Sequence, residues 1–400
     1  MGVLRRAAAL AGLFALAWNE AGQAQTLSWE DGEFVSEGRG FSLRPKGRVL
    51  LDLYSTSGSQ HDARNLAGRE LRTLRGGVTG RIGQHLIYNA EGDFQDGEAV
   101  VRATYLAWPD QWADKEIELT LGNRLSERGL EGSSSSDGAP FLERNSVALA
   151  ISPVKGFYGW GAIAKVYGPK WHVAGQIAGE DPANRAATRD TVTYLIRGHW
   201  NPIASDRGAV HLGAWSFYED YRDRDSLSRN TSWAGHFNDQ VQVSLGAVRE
   251  PLHGDGYGVE LGGVQGPIWS FLEAGRRDIA ARGDHIAIDA WSLSAGWSLT
   301  GEPPAYSRRS GTFVKTAPAR PLSQGGFGAW DVAIRYQVLD NTDAPLGGLG
   351  REAQMGVNWR LEDWLRVMLD LSHWEVDRRA GPYQGADSGD SLAGRLQVAF

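Results

Sequence analysis

From Gly47 onward the chain alternates apolar and polar side chains with a period of two. Val49, Leu51 and Leu53 share one face, opposed by Arg48, Asp52 and Tyr54. Leu74, Val78 and Ile82 run against Thr73, Arg75, Thr79 and Arg81, and after Gly83-Gln84 a return strand carries Leu86, Tyr88 and Ala90 against Asn89, Glu91 and Asp93. Side chains on a strand point to opposite faces in turn, so this pattern predicts half-buried strands joined as antiparallel hairpins. The same alternation returns at Val101–Tyr105, Ile117–Leu121, Val192–Ile196, Val241–Leu245 and Tyr257–Leu261. It returns again at Trp291–Leu299, Trp330–Val338 and Met355–Trp359, and ends on Leu392, Gly394, Leu396, Val398 and Phe400. In Trp291–Leu299 one face is wholly apolar with a tryptophan near each end, while the other carries Ser292, Ser294 and Ser298.

Link lengths sharpen this reading. Short links at Gly168-Pro169, Asn238-Asp239 and Glu362-Asp363 intersperse with long ones at 123–146, 179–190 and 219–230. In lipid every backbone group must be paired internally, so strands can span a membrane only as a closed cylinder, with short turns on one side and longer loops on the other. An all-β, transmembrane antiparallel β-barrel is therefore expected. Sixteen strands are preferred and eighteen are the alternative, because Trp160–Val166 and Thr231–Phe237 are ambiguous. No internal repeat of fixed period supports a propeller.

Composition narrows the class. Arg5 and Arg6 precede the apolar run Ala7–Ala17, and Gly22-Gln23-Ala24 supplies small residues for cleavage, so residues 1–24 are expected to be a signal peptide. Residues 25–46 are expected to be a short periplasmic lead-in, and 47–400 the barrel. No later apolar stretch is long enough for a transmembrane helix. Loss of Arg5, Arg6 and Glu20 takes the formal charge from −7 to −8, against a nucleic-acid partner. Cysteine is absent, which removes disulfides and thiol metal sites. The 52 Gly suit turns, and the 16 Trp suit aromatic girdles at two membrane interfaces.

Several stretches resemble the phosphate-selective porin O and P family. They are Gly47–Asp52, the arginine-rich Glu70–Gly80, and Leu121–Arg124 followed by Gly129-Leu130-Glu131, Ser133-Ser134-Ser135 and Phe141-Leu142-Glu143-Arg144. Trp297–Glu302, Gly328–Tyr336, Gly356–Trp359 and Arg395–Phe400 continue the resemblance in order. It implies a bacterial outer-membrane porin, a homotrimer of 16-stranded barrels embedded in lipid. Inward-folded loops would narrow each barrel, and arginines would guide small anions such as phosphate or polyphosphate. No cofactor is implied.

Guanidinium stays charged and offers planar paired donors that match phosphate, so a file of arginines can replace lost hydration stepwise. By alternation Arg48, Arg75 and Arg81 face inward, as do Arg102, Arg197, Arg335, Arg360, Arg366 and Arg395. Arg124 and Arg128 are placed to reach a constriction, and Arg222 and Arg224 have the alternate spacing of a ladder. Two departures stand out. Arg72-Thr73 replaces the family's paired arginines, and parity puts Arg72 outward unless the strand bulges. Asp52, Glu91, Asp93, Glu118, Glu260, Asp331 and Asp370 also face inward, so a mixed wall knitted by ion pairs is the competing expectation for any single arginine.

Two other functions remain open. A barrel enzyme would need a histidine beside a serine or carboxylate, and His85, His172, His199 and His211 fall on separate strands with no Gly-x-Ser-x-Gly elbow. No His-Glu-x-x-His pattern appears. A structural barrel plugged by its third loop is the other alternative.

Overall fold

The computed structural model describes residues 27–30, 33–36, 40–95, 99–154, 157–179, 191–221 and 224–400. Among them sixteen antiparallel strands form one closed sheet. They are β1 (Phe41–Ser57), β2 (Ala67–Ile82), β3 (Leu86–Asp93), β4 (Thr104–Trp112), β5 (Lys115–Leu125), β6 (Tyr158–Gly168), β7 (Trp171–Gly179) and β8 (Val192–Trp200). The wall continues through β9 (Gly208–Asp220), β10 (Pro251–Gln265), β11 (Ile268–Ala281), β12 (Asp284–Ser298), β13 (Ala329–Asp340), β14 (Gly348–Arg360), β15 (Leu365–Arg378) and β16 (Gly385–Ala399). Each strand pairs with the next, and β16 returns to β1 with Val398 opposite Val49 and Leu396 opposite Leu51. Closure leaves no sheet edge to satisfy, the condition a membrane imposes.

Period-two patterning decides which way each strand faces. On β12 Trp291, Leu293 and Trp297 are exposed on the outer surface, while Ser292, Ser294 and Ser298 are buried. Leu51 and Leu53 on β1, Leu119 and Leu121 on β5, and Leu369 and Leu371 on β15 complete an apolar outer belt. Trp160–Val166 lies in β6 and belongs to the wall.

Four expectations are corrected. The barrel begins at Phe41 rather than Gly47, because the β1–β2 ladder runs on from Gly47 opposite Gly76 to Phe41 opposite Ile82. A small hairpin, Leu27–Glu30 with Glu33–Ser36, pairs onto that extension. Residues 1–24 lie outside the described residues. The segments Thr231–Phe237 and Val241–Leu245 are not wall strands: Asn230–Ser232 and Gln242–Ser244 pair with each other inside the fifth loop, 221–250. Their alternation is real, but Val241, Val243 and Leu245 bury against the inside of the wall rather than facing lipid. Asn238-Asp239 therefore belongs to this inner loop. Finally, the side bearing the chain ends does not carry only short turns, because residues 299–328 between β12 and β13 form a long segment there.

Three segments fill much of the lumen. The third loop, 126–157, brings Val147 and Ile151 against Trp215, Phe217, Ile279 and Ile286, with Trp233 and Leu245 of the fifth loop in the same cluster. A second cluster joins Leu130 and Phe141 of the third loop to Trp269 and Phe271 of β11 and Phe313 of segment 299–328. Each fully buried side chain of this size contributes about 1.5–3 kcal/mol. The inner loops are thus fixed by a core of their own.

Candidate functional site

Polar contacts from the wall hold the third loop across the barrel. Glu273 on β11 accepts the backbone N–H of Leu130 at 2.6 Å and of Glu131 at 3.2 Å, and the Asn145 side-chain amide at 2.6 Å. Asp370 on β15 accepts the Leu142 N–H at 2.7 Å, and Gln337 on β13 accepts that of Ser146 at 2.7 Å. Arg335 donates to both Glu131 oxygens at 2.6 and 2.8 Å. Arg366 and Arg395 donate to the loop carbonyls of Ala139 and Leu142. Arg229 of the fifth loop and Arg277 of β11 both donate to Ser152 O, which closes the wide helical turn Val147–Ile151. Burial, then the nearby Arg277, pushes the Arg229 guanidinium down to about 10, so it stays charged at neutral pH.

What the loops leave open is a cavity of about 680 Å³ between the third loop, the fifth loop and the wall strands on either side of the β16–β1 closure. Seven basic side chains line it (Lys46, Arg48, Arg72, Arg75, Arg102, Arg144, Arg335), facing the six acidic ones of Asp52, Glu70, Glu91, Glu143, Glu352 and Asp370. Near balance of charge makes the lining a network rather than a file of one sign. Arg48 pairs with Asp137 at 2.5 Å, Arg75 with Asp93 at 3.0 Å, Lys46 with Glu91 at 3.3 Å and Arg102 with Asp93 at 3.5 Å. Arg395 grips Asp52 with two bonds of 2.7 and 2.6 Å. Arg144 differs from these. It donates to backbone carbonyls, Glu131 O at 3.0 Å and Ser134 O at 2.7 Å, and lies 4.3 Å from the centre of the Phe157 ring.

The expected arginines fall in different places. Arg48 and Arg75 line the cavity. Arg81 does not, because it is exposed beside the turn that ends β2. Arg124 turns back onto its own strand, to Glu118 and Thr120 at 2.7 Å, and stacks on Tyr105. Arg128 is buried under the third loop with its guanidinium 3.8 Å from the Phe157 centre, on the loop rather than the open space. Arg224 bonds Thr191 at 2.7 Å at the loop end of the wall, away from the cavity. Arg222 lies outside the described residues.

Two placements escaped the pattern. The register between β1 and β2 slips where Leu50 faces Thr73 but Leu51 faces Leu71, leaving Arg72 as the extra residue. A bulge re-aims its side chain. Arg72 therefore faces the cavity, 3.8 Å from Glu143, where parity had it outward. The histidines are not scattered either. His172, His199 and His211 come from neighbouring strands β7, β8 and β9, and their rings lie side by side inside the barrel, at 4.6 and 5.4 Å between successive centres. Only strand order could show this, since they are separated in sequence. Among the described residues no group of three or more side chains is arranged to hold a metal ion.

The fold is shared by solved outer-membrane proteins. OmpT of Vibrio cholerae is 10% identical, with 94% of this chain and 100% of that chain covered at a TM-score of 0.53. OprB of Pseudomonas putida is 9% identical, with 90% and 94% covered and a TM-score of 0.55. An anion-selective porin from Comamonas acidovorans is 14% identical, with 90% and 100% covered and a TM-score of 0.50. In sequence, a protein of Caulobacter vibrioides described only as uncharacterized is 24% identical over 390 residues, which cover 90% of this chain and 72% of that protein. The family model for phosphate-selective porin O and P matches residues 45–400, nearly the whole barrel, and the chain belongs to that family of porins of the bacterial outer membrane.

Proposed function

We propose that this outer-membrane porin passes small hydrophilic solutes down their own gradients, with a mild preference for anions such as phosphate or polyphosphate. The observation that carries the preference is Arg144, a cavity arginine that donates to the backbone carbonyls of Glu131 and Ser134 and so keeps its charge for a passing solute. Its neighbour Glu143 is already engaged by Arg72 and Arg395. Ser135 and Ser136 line the same cavity and add hydroxyls that can replace hydration. Ion pairs neutralise most other cations in the lining, which keeps binding weak enough for release.

Passage of this kind needs neither a cofactor nor a covalent step, so the protein acts without catalysis. We take the working form to be a homotrimer seated in outer-membrane lipid; an OmpT described as a trimer form shares the fold.

The test is planar-bilayer conductance with the reversal potential in asymmetric KCl, repeated with millimolar phosphate. Anion selectivity with phosphate reducing the chloride current, both weakened in Arg144→Gln, is expected. Cation selectivity or indifference to phosphate would overturn the preference while leaving the porin. Folded protein that never conducts would overturn the channel itself.

A further inference from the structure

The segment 299–328 leaves β12 at the end of the barrel that carries β1's start and β16's finish, the periplasmic end in this family of architectures. It sends a small hairpin, Tyr306-Ser307 paired with Thr312-Phe313, up into the lumen. Its second strand reaches the third loop, where the Phe313 N–H donates to Ser134 Oγ at 2.8 Å. On its other side the hairpin rests on the histidine row. His199 Nε2 meets Arg308 O at 2.8 Å, and His211 Nδ1 meets the Tyr306 hydroxyl at 2.7 Å. Gly311 sits so close over His199 that a Cβ there would lie 2.6 Å from the ring. Burial pushes the Tyr306 phenol up to about 12, so it remains a hydroxyl.

The charges around the row balance only while the imidazoles are neutral. Arg197 and Lys165 supply two cations. Glu127 of the third loop and Glu260 of β10 supply two carboxylates, with Arg197 to Glu260 at 2.8 Å, His211 to Glu260 at 2.9 Å and Lys165 bonded to Glu127. A further titratable group against the row, Tyr167 on β6, stacks on His172 and under Arg309, whose guanidinium pairs with Glu116 at 2.5 Å at the rim. Protons added to the row therefore build net positive charge inside the barrel, facing a hairpin that carries Arg308 and Arg309.

His172 and His199 also touch through their two Nδ1 atoms. That contact requires one N–H and one lone pair. A first proton can be accommodated, since His172 can then turn its Nε2–H toward Glu127, 3.5 Å away. A second sets N–H against N–H and the contact cannot persist.

We propose that the hairpin is a proton-released plug: acidification on the periplasmic side charges the His172–His199 pair, expels the 305–314 hairpin and widens the passage. Because the pair absorbs one proton and breaks on the second, the response is steeper than a single titration. The proposal rests on the porin reading above.

Single-channel conductance is recorded while the hairpin side alone is taken from roughly pH 8 to roughly pH 3. The expected result is a reversible, several-fold rise with a slope near two protons. His172→Gln and His199→Gln keep a donor and an acceptor but cannot gain the second charge, and their conductance should stay flat. Gly311→Val, which forces the hairpin off His199, should conduct at the high level at both ends of the range. A conducting wild type that ignores pH, or a full acid response in the two glutamine variants, would overturn the plug and leave the porin. Absence of conductance in the wild type and in Gly311→Val alike would overturn the porin reading with it.

Discussion

Gly47 and Phe400 meet so closely that a Cβ on Gly47 would lie 2.4 Å from Cζ of the Phe400 ring. Their backbones exchange both bonds, Gly47 N to Phe400 O at 3.1 Å and Phe400 N to Gly47 O at 3.0 Å. The ring covers the one position on β1 that has no side chain, as aromatics do over glycines in curved sheets. The pair thus extends the β16–β1 closure by one residue beyond Ala399 opposite Arg48.

Gly47→Val should displace the Phe400 ring and slow or prevent closure. Heat-modifiable mobility in SDS gels should show a lower yield of folded barrel than for Gly47→Ala, where the ring has less to avoid. Equal yields for wild type and Gly47→Val would mean that the ring contact is dispensable.

Glu273 gathers three N–H donors of the third loop, so Glu273→Leu leaves them buried without an acceptor, at about 1–3 kcal/mol each. A released third loop should raise conductance several-fold and add open-channel noise. Unchanged conductance would show that Arg335, Asp370 and Gln337 hold the loop by themselves.

The bulge that turns Arg72 inward sets up a pH effect at Glu143. Burial alone would raise the Glu143 carboxyl, but Arg72 first and then Arg395 outweigh it, so its pKa is lowered from 4.5. A carboxylate depressed in the folded state stabilises above its unfolded value, and that contribution is lost as pH falls through the folded value. In a His172→Gln background, which silences the proposed plug, the thermal midpoint should hold from pH 7 to about 5 and fall only below about 4. Arg72→Ala should move that fall to higher pH. An unmoved profile would separate Arg72 from Glu143.

Leu293 stands in the outer belt of β12, exposed between Trp291 and Trp297. Leu293→Lys should cost about 2–4 kcal/mol if the position lies at the bilayer midplane. Leu293→Ala should cost clearly less in the same urea titration in lipid. Similar costs for the two would argue that this part of the wall faces protein.

Much of this protein is written locally. Alternation along Trp291–Leu299 or Met355–Trp359 fixes which residues look out, because a strand has only two faces and one of them meets lipid. Closure follows from the same pattern, since an open edge cannot exist in a membrane. That is why the all-β barrel, the inward Arg48 and Arg75, and the family were legible without coordinates.

The lumen was not legible, because its contents depend on contacts between residues far apart in sequence. Val241, Val243 and Leu245 alternate like a wall strand, yet they bury inside, and only packing against Trp215 and Ile279 distinguishes the two. Arg72 changes face through one extra residue in the ladder, which periodicity cannot locate. Arg124 and Arg128 carry the right charge in the right loop, but Glu118 and Phe157 claim them. His172, His199 and His211 became neighbours because β7, β8 and β9 are adjacent in the sheet. A two-residue period states which side of a wall each residue takes; what crosses the space inside is decided by the tertiary structure, where distant side chains compete for the same partners.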